Sequence, residues 1–185
     1  MNRNHALFGG SADCIAAYPG DFAVALVAFD AELDIIGPEG SRRVRLAELH
    51  REPGATPDLD HTLDDGEMIT AIRVPQNAAA RASTYHKIRD RESYAFAVVS
   101  VAAGVVMDGD VVREARIALG GVATRPWRAE AAERALTGRR LTQETAREAG
   151  EIAFEDAETT HHNAFKTELG ARTVADALMI ARSRS

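Results

Sequence analysis

Two long β-prone runs meet at Asp108-Gly109, and no other stretch restricts the fold as tightly. Phe96 to Met107 and Val111 to Val122 are rich in Val and Ala. Asp-Gly between two such runs is the strongest short-range hairpin signal. Ahead of them lies a short strand-like segment, Ser83 to Ile88 (STYHKI), and a charged loop, Asp90 to Tyr94 (DRESY). Behind them the character changes. Pro126 to Leu136 reads as a helix with proline in its first turn, ended by Gly138. Thr142 to Phe154 reads as a second helix. His161 to Arg184 reads as a third, with Phe165, Leu169, Val174 and Leu178 on roughly one side. The second half is therefore expected to be a three-stranded antiparallel sheet packed on a helical bundle.

The first half has its own pattern. Residues 1–20 show little periodicity and read as a loop. Asp21 to Ala31 (DFAVALVAFDA) is apolar on most faces, which marks a buried helix, with Asp21 as a candidate cap. Glu32 to Ile36 and Arg42 to Leu46 alternate around Gly37-Pro38-Glu39-Gly40, a hairpin with a longer loop. Residues 51–66 are turn-rich. Met68 to Val74 (MITAIRV) alternates and stops at Pro75, which cannot donate to a ladder. Gln76 to Ala82 is small and polar and reads as a linker. Strands and helices segregate rather than alternate, which defines an α+β chain of two parts, 1–76 and 77–185.

Composition removes several functions. Of 185 residues, 45% are apolar, too many for a disordered chain. No run approaches the ~18 to 20 apolar residues of a membrane span. The net charge of −6 argues weakly against a chain that works on nucleic acid or anionic lipid. A single cysteine, Cys14, excludes an internal disulfide and an all-cysteine metal cage within one chain. The start, MNRNHALFGG, has no apolar core of a secretory signal, so a cytoplasmic chain is expected unless a partner exports it, which would place it in the periplasm.

Individual motifs say less. His161-His162-Asn163 suits helix capping better than metal binding, because neighbouring helical side chains diverge by about 100°. Gly120-Gly121 ends a strand and reads as a bend rather than a phosphate cradle, and Gly9-Gly10 is similar. Cys14 has no adjacent base and reads as a small buried hydrophobe. Asp64-Asp65 suits turn chemistry. No Ser/His/Asp grouping or catalytic carboxylate pair stands out. Lys87, Arg89 and Arg91 place three cations in five residues at a strand end. That loop is either a solvated terminus or a site for an anionic or electron-rich ligand.

The order of motifs resembles a known family, the FAD-binding medium subunit of the molybdenum hydroxylases (xanthine, aldehyde and carbon monoxide dehydrogenases). The carrying residues are Asn2 to Ala6 (NRNHA), Cys14 to Leu26 (CIAAYPGDFAVAL), Glu67 to Pro75 (EMITAIRVP), Lys87 to Ser100 (KIRDRESYAFAVVS), Arg116 to Arg128 (RIALGGVATRPWR) and His162 to Lys166 (HNAFK). The opening run looks most like the aldehyde-dehydrogenase branch, which has an extra iron–sulfur cluster in this subunit.

The resemblance implies that residues 1–76 are the later part of an FAD-binding domain and 77–185 its C-terminal domain. It implies an oxidoreductase subunit without catalytic residues of its own. Electrons would pass from a molybdopterin centre in a large subunit, through iron–sulfur clusters in a small [2Fe–2S] subunit, to FAD and then to an acceptor. Asp21 matches the carboxylate that binds ribityl hydroxyls, and Ile69 an apolar neighbour of the isoalloxazine ring. Lys87 matches a lysine near the polar edge of the flavin, where a cation stabilises the anionic reduced form. Tyr94 matches a ring neighbour on the loop over the flavin.

Departures from the family pattern shape the expectation. The two Gly-rich loops that hold the FAD pyrophosphate would lie before Met1, as would the cysteines of the extra cluster. Gly20 stands where relatives have Ser. FAD binding by the chain alone is therefore expected to be weak or absent, and a separate N-terminal FAD-binding polypeptide would complete the site. The alternatives are a flavin-free interaction or scaffold domain and a truncated remnant.

Overall fold

The structure is a computed structural model that describes residues 2–185. Helix α1 (Phe22–Ala28) leads into strands β1 (Glu32–Gly37) and β2 (Gly40–Arg45), a short helix α2 (Leu46–Leu49) and strand β3 (Met68–Arg73). These strands form an antiparallel sheet in the order β2-β1-β3. A 3-10 turn at Ala78–Arg81, opened by the Ala79 N–H donating to the Asn77 side chain at 2.8 Å, passes the chain to the second sheet. That sheet is a meander of β4 (Ser83–Ile88), β5 (Val99–Asp108), β6 (Val111–Gly120) and β7 (Trp127–Arg128). Helices α3 (Glu130–Leu136), α4 (Gln143–Ala153) and α5 (Phe165–Arg182) complete the chain.

The Asp108-Gly109 hairpin forms as expected, with Asp108 opposite Val111 and Gly109 at φ +58. Its strands are buried on both faces, and side-chain size separates the two. Val99, Val101, Ala103 and Val105 pack with Leu136, Leu141, Val174 and Leu178 from the helical side. Ala102 and Ala118, which are register partners, pack instead with Val24, Leu26 and Val27 of α1 and with Leu33 and Ile35 of β1. Small residues on that face let a helix lie close to the sheet. The central sheet is thus shared by two cores.

Several expectations need correction. The second sheet has four strands rather than three, because Trp127 and Arg128 pair with Leu119 and Ala118. Trp127 stacks on Phe8 with ring centroids 5.1 Å apart, and Arg128 donates to the Val27 carbonyl at 2.9 Å. These long-range contacts hold the segment extended, so Pro126 precedes a strand and the helix starts at Glu130. The first hairpin closes more tightly than expected, since Gly37 pairs with Gly40 across Pro38-Glu39. The last helix starts at Phe165, and Asn163 ahead of it is a buried fastener: its side chain accepts the Thr160 N–H at 2.6 Å and donates to the Ala6 carbonyl at 3.3 Å. Thr142 caps α4 through a reciprocal pair with Thr145. Asp21 precedes α1 but makes no side-chain cap, because its carboxylate is engaged across the fold.

Candidate functional site

Residues Tyr85 and Lys87 alternate on β4 toward the face that α1 covers. Register places Lys87 opposite Ser100 and Tyr85 opposite Ala102, and Ser100 opposite Gly120. Gly120 is required there: a Cβ would lie 2.5 Å from Ser100 Oγ and 2.8 Å from Val24 Cγ2. The absent side chain lets α1 settle on the strand ends, and that brings Asp21, one residue ahead of α1, over Lys87.

The resulting group is small and well defined. Lys87 Nζ donates to Asp21 Oδ2 at 2.6 Å. The Tyr85 hydroxyl donates to Asp21 Oδ1 at 2.8 Å and accepts from Ser100 Oγ at 2.9 Å. Burial first, and then the Asp21 charge, push the Tyr85 phenol well above its ordinary value, so it stays a hydrogen-bond donor. The Lys87 side chain is 19% exposed and that of Asp21 44%. A pair this open keeps capacity: the ammonium has two further N–H groups, and the carboxylate has lone pairs for hydroxyl donors.

The other expected site residues stand apart from this group. Ile69 lies on β3 opposite Ile35, beside a bulge that breaks the alternation of the strand, and is 37% exposed. Tyr94 lies in the β4–β5 loop, 95% exposed, at φ +50. Of the three clustered cations, Lys87 turns into the site, Arg89 is exposed, and Arg91 donates from Nε to the Tyr94 carbonyl at 3.1 Å within the loop. Tyr85 and Ser100 were missed by sequence reasoning; the signal available was that Tyr85 shares the strand face of Lys87, two residues earlier.

A second lysine is unusual. Lys166 on α5 is buried and donates to the carbonyls of His5 at 3.1 Å and Gly121 at 2.8 Å. Burial, and secondarily the charge of Arg3, lower its pKa to about 8. Gly121, at φ +73, confirms the expected bend: a Cβ would lie 2.7 Å from the Ala97 carbonyl. His161 and His162 meet ring edge to ring face at 4.8 Å. Among the described residues no group of three or more His, Cys, Asp or Glu is placed to hold a metal ion. No helix among them is long and apolar enough to cross a membrane.

Comparison with known proteins agrees with the order of motifs. Residues 83–180 match the CO dehydrogenase flavoprotein C-terminal domain, and residues 1–77 match the FAD-binding domain in molybdopterin dehydrogenase. The aldehyde oxidoreductase FAD-binding subunit PaoB of Escherichia coli strain K12 is 42% identical over 186 aligned positions, covering 100% of this chain and 55% of that protein. The putative xanthine dehydrogenase FAD-binding subunit XdhB of the same organism is 28% identical over 155 residues, 83% of this chain and 51% of its own. A solved structure of carbon monoxide dehydrogenase from Hydrogenophaga pseudoflava, in the form lacking the Mo-pyranopterin moiety, superposes with a TM-score of 0.78 at 29% identity, over 90% of this chain and 57% of that one. Fold and matches define the class: an α+β chain built like part of the flavoprotein subunits of molybdopterin dehydrogenases. Within it, the chain belongs to the FAD-binding medium subunit family of the molybdenum hydroxylases. It spans about half the length of the relatives it matches.

The residues present fit the sugar and ring end of a flavin. The half-open Asp21 carboxylate suits hydroxyl donors, and the uncommitted Lys87 N–H groups suit an electron-rich edge. Phe22, next to Asp21, and Tyr94 and Phe96, on the loop after Lys87, are exposed apolar groups.

Proposed function

We propose that the chain is the flavin-ring portion of an electron-transferring subunit in a molybdenum-dependent dehydrogenase of the aldehyde or xanthine type. In this reading residues 1–76 are the later part of the FAD-binding domain and residues 77–185 its C-terminal domain. The partners are a large molybdopterin subunit and a small [2Fe–2S] subunit. The reading is supported above all by the Asp21–Lys87 pair at 2.6 Å, built by two matched family segments that are 66 residues apart in sequence.

Bound FAD would supply the capacity to accept electrons from an iron–sulfur centre and release them to an acceptor. The residues of this chain have simpler tasks. Asp21 accepts hydrogen bonds from hydroxyls while Tyr85 and Lys87 fix its orientation. Lys87 presents positive charge, held in place by Asp21, to the polar edge of the ring. Ile69 and Tyr94 offer apolar faces from the β3 edge of the first sheet and the β4–β5 loop. The test is to purify the chain with its partners and read the flavin absorbance bands. Flavin in the complex but little with the chain alone is expected; a complete complex without flavin overturns the reading.

One observation favours a second reading, a flavin-free interaction domain. Among the described residues strand β3 pairs only with β1; Met68, Ile72 and the following Val74 are exposed, a surface suited to another chain. That reading expects assembly to survive Asp21→Ala and Lys87→Ala with no loss of electron transfer through the complex.

A further inference from the structure

We propose that Arg3 is a positioning residue for the candidate site, holding the loop of residues 89–97 through a two-pronged ion pair with Asp90. The loop leaves β4 just after Lys87 and Ile88. It returns where the Val98 N–H donates to the Ile88 carbonyl at 2.9 Å. Between those points it presents Tyr94 and Phe96 to solvent. Tyr94 sits at φ +50, in the left-handed region that a bulky side chain occupies only when its surroundings hold it. Inside the loop, Arg91 bonds the Tyr94 carbonyl.

Arg3 Nη1 and Nη2 reach Asp90 Oδ2 and Oδ1 at 2.8 and 2.9 Å. Among the described residues this is the only side-chain hydrogen-bonded link from residues 89–97 to the rest of the chain. Arg3 is itself held. Its guanidinium lies 5.2 Å over the Phe165 ring. Two residues on, the His5 carbonyl accepts from buried Lys166, which also bonds Gly121. Asn163 bonds the Ala6 carbonyl, and the Ala6 N–H donates to Ile15 at 2.9 Å. The start of α5 therefore grips residues 3–6, and Arg3 extends from that fixed segment to a loop with few other attachments.

An exposed ion pair contributes little to global stability. It is well suited to bias a local, weakly held segment, where opening free energies are small. The tether stands on geometry alone; only the claim that it places Tyr94 beside a flavin rests on the proposed function.

Hydrogen–deuterium exchange on the full chain tests it. Asp90→Ala and Arg3→Ala are each expected to speed exchange in peptides spanning 89–97 by about three- to fivefold. Peptides from β5, β6 and α5 should keep their rates. The swapped pair, Arg3→Asp with Asp90→Arg, is expected to restore protection. Unchanged exchange in Asp90→Ala overturns the proposal, and so does a swapped pair that leaves the loop as open as the single variants. If Arg3→Ala loosens the whole chain, Asp90→Ala decides, since its carboxylate bonds only Arg3. In the assembled, flavin-loaded complex the same variants should shift the flavin absorbance bands at unchanged flavin content. Faster loop exchange with unshifted bands overturns the role at the site. A wild-type complex without flavin overturns the flavin reading and leaves the exchange result to judge the tether.

Discussion

At the scale of single residues, the two lysines divide the work of the chain. Lys87 is open and paired with a carboxylate; Lys166 is buried and bonded only to carbonyls. Asp21→Asn keeps size and removes charge, so flavin binding by the complex is expected to weaken by about ten- to a hundredfold, the worth of one charge-assisted bond. Titration of the flavin-stripped complex measures it. Lys166 gives a pH signature. Its folded pKa of about 8 lies below the ordinary lysine value of 10.5. The unfolded chain therefore binds more protons between those values, and the Lys166 contribution makes stability rise with pH across that window. Below pH 8 the ammonium is charged in both states and the penalty is fully present. Relief of roughly 3 kcal/mol at most follows from the shift. Denaturant midpoints of the native chain and Lys166→Met, taken from pH 7 to 10.5, should differ by this slope.

At the scale of elements, glycines decide how closely things pack. Gly150 on α4 lies against the Ala171 carbonyl of α5, and Gly170 on α5 lies under the Phe154 ring. An ordinary helical Gly→Ala change stabilises by roughly 0.5–1 kcal/mol. At Gly150 the obstacle is backbone, which no rotamer change removes. Gly150→Ala is therefore expected to destabilise by about 2–3 kcal/mol, against about 1 kcal/mol for Thr142→Ala at the α4 cap. Chemical denaturation of both variants checks the order. Gly120→Ala should act at two levels, because its Cβ meets Ser100 and Val24 together. It is expected to cost about 1–3 kcal/mol and to lower flavin content, as α1 lifts Asp21 from Lys87.

At the scale of the whole molecule, the central sheet binds two cores, and the first sheet leaves an edge unsatisfied. Strand β3 exposes Met68, Ile69 and Ile72, and Val74 just beyond it is exposed too. A bare, apolar sheet edge of this kind is suited to pairing with further polypeptide. Ile72→Lys should leave the melting of the isolated chain within a few degrees, because the position is already open. It should weaken association with the proposed partner subunits by tenfold or more, read by size-exclusion chromatography of the mixture. Unchanged association would place the contact elsewhere.

Much of this was legible in the chain itself. The Asp-Gly hairpin, the first hairpin and the helix over Thr142 to Phe154 follow from local chemistry: turn residues, alternation and a reciprocal cap. The family followed from motifs in their order. Other features had no local signal. Trp127 and Arg128 are strand because Phe8 and Val27, far away in sequence, hold them there. Asp21 looked like a helix cap and became half of an ion pair, since a residue 66 positions later offered its carboxylate a stronger partner. Ser100 and Tyr85 joined the site through strand register. Sequence alone determined the two hairpins, the bulk of the helices and the family they spell, because those depend on neighbours along the chain. Only the tertiary structure decided the four-stranded sheet, the Asp21–Lys87–Tyr85 group and the Arg3 tether. Each of these needs a partner brought near by packing, and no local pattern encodes that distance.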